Sequence, residues 1–288
     1  MNGRQSATRI GAVLARVLLV GLVAVATLVS AATPALAAAA GTIGYDVSWP
    51  QCGAPLPPNP AFAVVGVSGG KPLTDNPCLA TQYRWAAGAP GPPAFYMNTS
   101  SPGAAATALD WYAQRSPNPA CSRTAEIPCA YNFGFGAARH AFAHAQAQTG
   151  AAARHPWWLD VETDNSWSAT DLSSNLAAIH GAIDYLRGQG VAVGIYSVPS
   201  MWTTITGGAA LSGMPLWTAG ARTAAEAAAL CARPSFTGGP VVMTQFIEGG
   251  FDRDYVCAGT PTAPPGPPPP GLDLGGLLQA LGRLLPTS

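Results

Sequence analysis

Two acids stand two positions apart in Trp157-Trp158-Leu159-Asp160-Val161-Glu162-Thr163, inside a run of strand-forming residues. On a β-strand, positions i and i+2 share a face with Cα atoms roughly 6.5–7 Å apart. Asp160 and Glu162 then look one way, and Leu159, Val161 and Thr163 the other. If both ionised, they would repel by about 2–3 kcal/mol at an effective dielectric of about 20. That is enough to raise the pKa of one member by about 2, giving a proton donor beside a lasting negative charge. Hydrolysis of a glycosidic bond uses this division of labour. An exposed edge strand with two solvated acids fits the same short motif, so the surrounding sequence must decide.

Strand-like apolar runs alternate with helical ones across the chain. Strands are expected near Ile43–Val47, Phe62–Ser68, Pro93–Asn98, Pro156–Glu162, Val191–Ser197, Met214–Ala219, Val241–Phe246 and Phe251–Val256. Helices fit Gly103–Gln114, Ala137–Gln148, Ala169–Gln189 and Ala221–Ala232, with an irregular loop over Asp110–Tyr131. Strands this apolar are covered on both faces, as in parallel α/β sheets. Eight of them in one domain indicate an α/β fold, an irregular (β/α) TIM-like barrel whose helices are sparse among the last strands. A doubly wound open sheet is the alternative. In a barrel, chemistry sits at the carboxyl ends of the strands. Asp46 is late in the first run, Asp160 and Glu162 end the fourth, Gln245 is late in the seventh, and Asp252 and Asp254 lie in the eighth. Trp49, Tyr96, Trp167, Tyr196, Trp202, Trp217 and Phe246 fall at or just past strand ends. Rings there suit the C–H faces of sugars, although a single aromatic in such a place is usually core.

The N-terminus has the form of an export signal. Arg4, Arg9 and Arg16 precede an uncharged apolar run from Val17 to Ala32, and Ala35-Leu36-Ala37 reads as a cleavage site. The run is shorter than the ~20 residues of a membrane span, so no stable span is expected after cleavage. Residues 1–37 are the expected signal peptide, placing the protein outside the cell or in the envelope. The remaining chain carries 11 basic against 14 acidic residues, a formal charge of −3. With no basic stripe, nucleic acid is not an expected partner. Cys52, Cys78, Cys121, Cys129, Cys231 and Cys257 all follow the signal. In an oxidising compartment they suggest disulfides, the simplest pairing joining sequence neighbours: Cys52–Cys78, Cys121–Cys129 and Cys231–Cys257. The barrel is expected over 38–258, a stiff Pro-rich linker over 259–271 and a short leucine-rich tail over 272–288.

Two other chemistries have partial motifs. Gly66-Val67-Ser68-Gly69-Gly70 fits the G-x-S-x-G nucleophile elbow of a serine hydrolase. That order needs a later acid and then a histidine, yet the last histidine is His180. His140 and His144 have helical i, i+4 spacing without the glutamate of a zincin. No CxxC spacing occurs, and neither a metal nor a cofactor is expected.

Six short motifs in order carry a family resemblance. Asp46-Val47-Ser48-Trp49-Pro50-Gln51 resembles the D-V-S-x-x-Q opening strand of family-25 glycoside hydrolases, the muramidase type of lysozyme. Leu159-Asp160-Val161-Glu162 resembles that family's L-D-x-E strand, and Gly194-Ile195-Tyr196-Ser197 with Met201-Trp202 its G-I-Y-[ST]…W segment. Leu216-Trp217 and Gln245-Phe246 are similar to its L-W and Q-Y elements, and Phe251-Asp252-Arg253-Asp254 to its final [VIF]-D-x-[ND]. Two family elements differ: Val65–Gly70 stands where K-A-[TS]-E-G is usual, and Phe95-Tyr96-Met97-Asn98 where Y-H-F is common. Both changes remove polar groups expected along a groove.

The resemblance implies a barrel hydrolysing β-1,4 bonds in peptidoglycan or a related cell-wall polysaccharide. It implies Glu162 as general acid and Asp160 as stabiliser of positive charge or orienter of the 2-acetamido group. Asp46 and Asp252 would complete the catalytic set by orienting sugar and side chains. Trp49, Gln51, Tyr96, Tyr196, Trp202, Trp217, Gln245 and Asp254 are the expected substrate contacts. A barrel that binds glycan without cleaving it would keep the same fold and aromatics.

Overall fold

A computed structural model describes residues 38–102, 117–118, 121 and 126–257. The expected signal peptide (1–37), first helix (103–114), Pro-rich linker (259–271) and tail (272–288) lie outside the described residues. Eight strands close into a barrel in sequence order. They are β1 (Ile43–Val47), β2 (Ala63–Gly66), β3 (Ala94–Asn98), β4 (Trp157–Asp160), β5 (Val193–Ser197), β6 (Met214–Ala221), β7 (Gly238–Glu248) and β8 (Phe251–Val256). The α/β barrel expected from the sequence is the observed architecture, and the open sheet is excluded.

Neighbours from β1 to β7 pair in parallel, whereas β8 is antiparallel to both β7 and β1. The cause is local. Gly249 and Gly250 have φ of 64° and 80°, the left-handed pair that a two-residue hairpin needs. A parallel return would need a crossover of a dozen or more residues.

Five described helices wrap the strands: α1 (Leu79–Ala87), α2 (Glu126–Thr149), α3 (Leu172–Gly188), α4 (Pro199–Thr206) and α5 (Ala224–Leu230). α2 starts well before the expected Ala137, taking in Pro128 and Cys129 from the stretch read as a loop. Proline in a first helical turn gives up no intrahelical hydrogen bond, so Pro128 does not oppose that start. α1 and α4 are additions to the sequence reading. α4 opens on a proline and stops at Gly207 in the left-handed region, φ 71°.

The core has two layers. Phe62, Val64, Trp158, Trp217, Met243 and Val256 fill the barrel, with Tyr96 and Tyr196 packed on them. Val65, Phe95, Leu159 and Ile195 point outward and meet Ala141, Ile179, Ile183 and Leu186 of the helices. Glycines make room for the inner rings. A Cβ on Gly44 would lie 2.6 Å from the Phe62 ring, one on Gly66 2.6 Å from Tyr96, and one on Gly194 2.3 Å from Trp158. Outside, α2 and α3 cross where a Cβ on Gly134 would fall 1.8 Å from the Ala178 carbonyl oxygen.

Three disulfides join Cys52–Cys78, Cys121–Cys129 and Cys231–Cys257. The first ties the turn after β1 to the start of α1, and the third fixes the end of α5 to the end of β8. Each cross-link of this kind stabilises by about 2–4 kcal/mol. No described helix is long and apolar enough to cross a membrane.

Candidate active site

Strand register gathers the acids at the carboxyl ends of the parallel strands. Asp160 pairs with Asn98 of β3 on one side and Tyr196 of β5 on the other. Asp46 stands opposite Asp252 across β1 and β8, and Gln245 opposite Asp254 across β7 and β8. Side chains complete the circuit. Tyr196 donates its hydroxyl to Gln245 Oε1 at 2.8 Å, and Gln245 Nε2 donates to Asp46 Oδ2 at 2.8 Å. Asn98 Nδ2 donates to Asp160 Oδ2.

β4 ends at Asp160, two residues earlier than expected, so Glu162 sits on the loop just beyond it. That loop is held by its backbone: the Glu162 carbonyl accepts from Asn165 N at 3.2 Å and from Trp167 Nε1 at 2.7 Å. Thr99 N and Oγ1 both donate to the Asp160 carbonyl, at 3.0 and 2.6 Å. The result sets the Glu162 carboxyl against that of Asp160, within hydrogen-bonding reach. Asp160 is 4 % exposed, whereas Glu162 is half-buried.

Burial dominates the electrostatics. It pushes Asp160 well above the usual carboxylate range, with the Glu162 charge adding to the rise and the Asn98 hydrogen bond opposing it. Glu162 is raised by burial, countered by its hydrogen bond with Asp160 and aided by the charges of Asp164 and Asp252. Asp46 is pushed up to about 8 by burial and by Asp252, against the Gln245 hydrogen bond. Burial also raises Asp252, and raises Asp254 strongly. No described cation enters this cluster to offset it. Arg253 turns away to Glu248 Oε2 at 2.5 Å and lies 4.5 Å over the Tyr45 ring. Some of these acids must therefore stay protonated at neutral pH. Asp160 Oδ1 has no donor within reach among the described residues. A proton on Asp160 turns its contact with Glu162 into a hydrogen bond.

Several expected substrate contacts sit elsewhere. Trp202 is fully buried outside the barrel, its indole N–H donating to the Ala209 carbonyl at 2.9 Å and its ring 6.0 Å from Phe236. Trp217 is inside the barrel, packed against Tyr196 at 4.4 Å and Trp158 at 5.8 Å, and supports the site from below. Gln51 Oε1 accepts from Ser48 N at 2.9 Å, capping the short 3-10 turn after β1. Asp254 has no exposure, its oxygens make no well-formed hydrogen bond, and Asp46 and Trp217 lie beside it. Sugar cannot reach it. These corrections share one cause: position near a strand end does not say which face a side chain takes. Trp49 is 48 % exposed, and Tyr96, Tyr196, Gln245 and Asp252 remain partly open.

Sequence reasoning missed Asn98. It counted the change at the end of β3 as a loss of polar groups, yet Asn98 supplies a donor to Asp160. No sequence signal pointed to it, because only the β3–β4 register puts Asn98 beside Asp160. The other partial motifs are absorbed structurally. Ser68 Oγ accepts from Asn98 N at 3.3 Å. His140 Nε2 is 2.8 Å from Asp75, His144 contacts Asn76 O at 3.3 Å, His155 meets Tyr83 at 2.9 Å, and His180 is exposed on α3. Histidine thus leaves Ser68 without the base a serine hydrolase needs. Among the described residues no cluster of metal-ligating side chains occurs.

A family model described as "Lysozyme-like protein 1" matches residues 133–230, which include Asp160, Glu162, Tyr196 and Trp217. The chain is 41% identical over 61 residues to "Probable GH family 25 lysozyme 4" of Dictyostelium discoideum, covering 21% of this chain and 28% of that protein. It thus spans under a third of that relative's length. Among solved structures it is similar to a muramidase from Trichobolus zukalii, at 16% identity and TM-score 0.44 over 75% of this chain and 93% of that one. It is also similar to the spore cortex lytic enzyme SleM of Clostridium perfringens, at 17% identity and TM-score 0.47 over 75% and 67%. Over residues 133–230 and over the 61 aligned residues, this chain is thus similar in sequence to lysozyme-like proteins of the family-25 type.

Proposed function

We propose that the protein is an exported glycosidase that hydrolyses β-1,4 bonds in peptidoglycan or a related cell-wall glycan. The observation that carries this reading is the Asp160–Glu162 carboxyl pair at the barrel mouth, raised in pKa by burial and backed by Asn98. Glu162, the more open member, acts as general acid on the leaving oxygen. Asp160 holds the proton at rest and keeps the negative charge afterwards, supported by Asn98. The two titrate as a pair, so one proton belongs to both.

Their contact also limits the mechanism. An inverting pair stands about 6.5–9.5 Å apart to admit water, and a retaining nucleophile about 5–5.5 Å from the acid. Carboxyls in hydrogen-bond contact fit neither spacing. They fit an acid beside a group that orients the substrate's own 2-acetamido oxygen for attack. Asp46 acts through Gln245 to fix the Tyr196 hydroxyl, Asp252 faces the sugar, and Trp49 offers a ring at the rim. Export by residues 1–37 accords with three disulfides, which persist in oxidising compartments. The barrel of residues 38–258 is then followed by a linker (259–271) and a tail (272–288).

Reducing-sugar release from purified peptidoglycan tests the reading. Release that vanishes in Glu162→Gln supports it. Binding without release by the native chain would make the protein a glycan-binding barrel instead.

A further inference from the structure

On the outer face of β6 a cavity of about 290 Å³ opens between the start of α4 and the end of α5. Leu216, Leu230, Phe236 and Val241 make its walls apolar, and Thr218 and Arg233 give it polar groups. Leu216 and Thr218 alternate along β6 with Trp217, whose ring fills the barrel. The cavity therefore lies outside the barrel and apart from the acids. Thr218 is 7 % exposed, yet its hydroxyl has no hydrogen-bond partner among the described residues. Leaving a buried hydroxyl unpaired is costly, and a chain laid over the cavity would offer it a carbonyl. Arg233 is exposed at the edge and joins no ion pair among the described residues.

The chain itself arrives at this place. Cys257, the last described residue, is bridged to Cys231 and packs with Leu216, Val241 and Phe236, three of the cavity's walls. The Pro-rich linker that follows, residues 259–271, spans about 40 Å when straight and carries Gly266 as a place to turn back. Beyond it Leu274, Leu277, Leu278, Leu281 and Leu285 recur at i, i+3, i+4, i+7 and i+11, one face of a helix. A stripe this short is marginal as a helix alone in water and needs an apolar surface to fold on. Asp273, at its head, is the only acid after Asp254 and is opposite in sign to Arg233.

We propose that the leucine-rich tail, residues 272–288, docks over this cavity through its leucine face. Leucines fill the apolar walls, a carbonyl of the tail accepts from the Thr218 hydroxyl, and Asp273 pairs with Arg233. Tethered by the linker, the tail meets the cavity at an effective concentration in the millimolar range, so a modest affinity is enough.

The test compares melting temperatures of four full-length chains. They are native and Thr218→Val, each with the native tail or with Leu277→Ser, Leu278→Ser and Leu281→Ser. Valine keeps nearly the shape of threonine and removes the hydroxyl. Over an empty cavity that deletes an unpaired polar group, and the melting temperature stays level or rises. Under a docked tail it breaks a hydrogen bond. Thr218→Val is therefore expected to lower the melting temperature by about 2–4 °C with the native tail and not with the serine tail. A labelled 272–288 peptide should bind the serine-tailed chain at least tenfold tighter than the native chain, whose cavity is filled, and Arg233→Glu should weaken that binding about threefold. The same effect of Thr218→Val in both tail backgrounds, or peptide binding that is equal in the two chains or absent from both, overturns the dock. A dimer in sedimentation velocity that the serine tail abolishes places the tail in a second copy and overturns it as well.

Discussion

Asn98 of β3 donates its side-chain amide to Oδ2 of Asp160 on β4. The pair is adjacent by strand register, so the contact is fixed by the barrel rather than by a loop. In the proposed mechanism it would support the charge left on Asp160 once the shared proton has gone.

Removing that amide should therefore affect turnover more than binding. Asn98→Ala is expected to lower kcat about 10- to 100-fold with KM little changed. Because the Asn98 hydrogen bond holds the Asp160 pKa down, its loss moves the alkaline limb of the kcat–pH profile upward. An unaltered profile would remove Asn98 from the mechanism.

The buried acids also set how stability varies with pH. Asp46 stays protonated to about pH 8 in the fold, against about 4 in the unfolded chain. Between those values the folded state binds more protons, so stability falls as pH rises. His155, held near 4 by burial and Arg154, works oppositely below about pH 6.5, but it is one group against several carboxylates. The melting temperature should drop from pH 5 to pH 8. Asp254→Asn, which leaves no charge to bury at the least accessible position, should shallow that slope; an unchanged slope counts against it.

Helix contact supplies a test of packing independent of the site. Added methyl groups at Gly134 or Gly181 would meet backbone carbonyl oxygens at 1.8 and 1.9 Å. Backbone cannot yield as a side chain does. Gly134→Ala and Gly181→Ala should each cost about 1–3 kcal/mol or more by denaturant titration. Neutral variants would mean that α2 and α3 pack less closely.

Two tryptophans should separate stability from binding. Trp202→Ala empties a fully buried position and should cost about 3–5 kcal/mol. Trp49→Ala should leave the melting temperature alone and weaken glycan binding several-fold, since Trp49 is exposed at the rim. The reverse pattern would exchange their roles.

The barrel was legible because strand-forming runs recur at intervals and both faces of each are apolar. The direction of β8 was also written in Gly249-Gly250, a hairpin signal that strand counting passes over. Side-chain direction was less legible. Trp49 and Trp202 follow strands and Trp217 lies within β6, yet Trp202 turns from its helix α4 into the core outside the barrel and Trp217 fills the barrel. The pleat of β6 decides for Trp217, and the face of α4 for Trp202. Asp254 shares its motif with Asp252, but alternation along β8 turns it into the interior. Asn98 could not be read as a partner of Asp160 until the β3–β4 register was known.

The central claim concerns Glu162, and reducing-sugar release from peptidoglycan measures it most directly. With melting temperatures matched, Glu162→Gln should lose about a hundred- to ten-thousandfold in rate while Ser68→Ala retains the native rate. Native release by the Glu162 variant, or loss only in the Ser68 variant, would contradict the account.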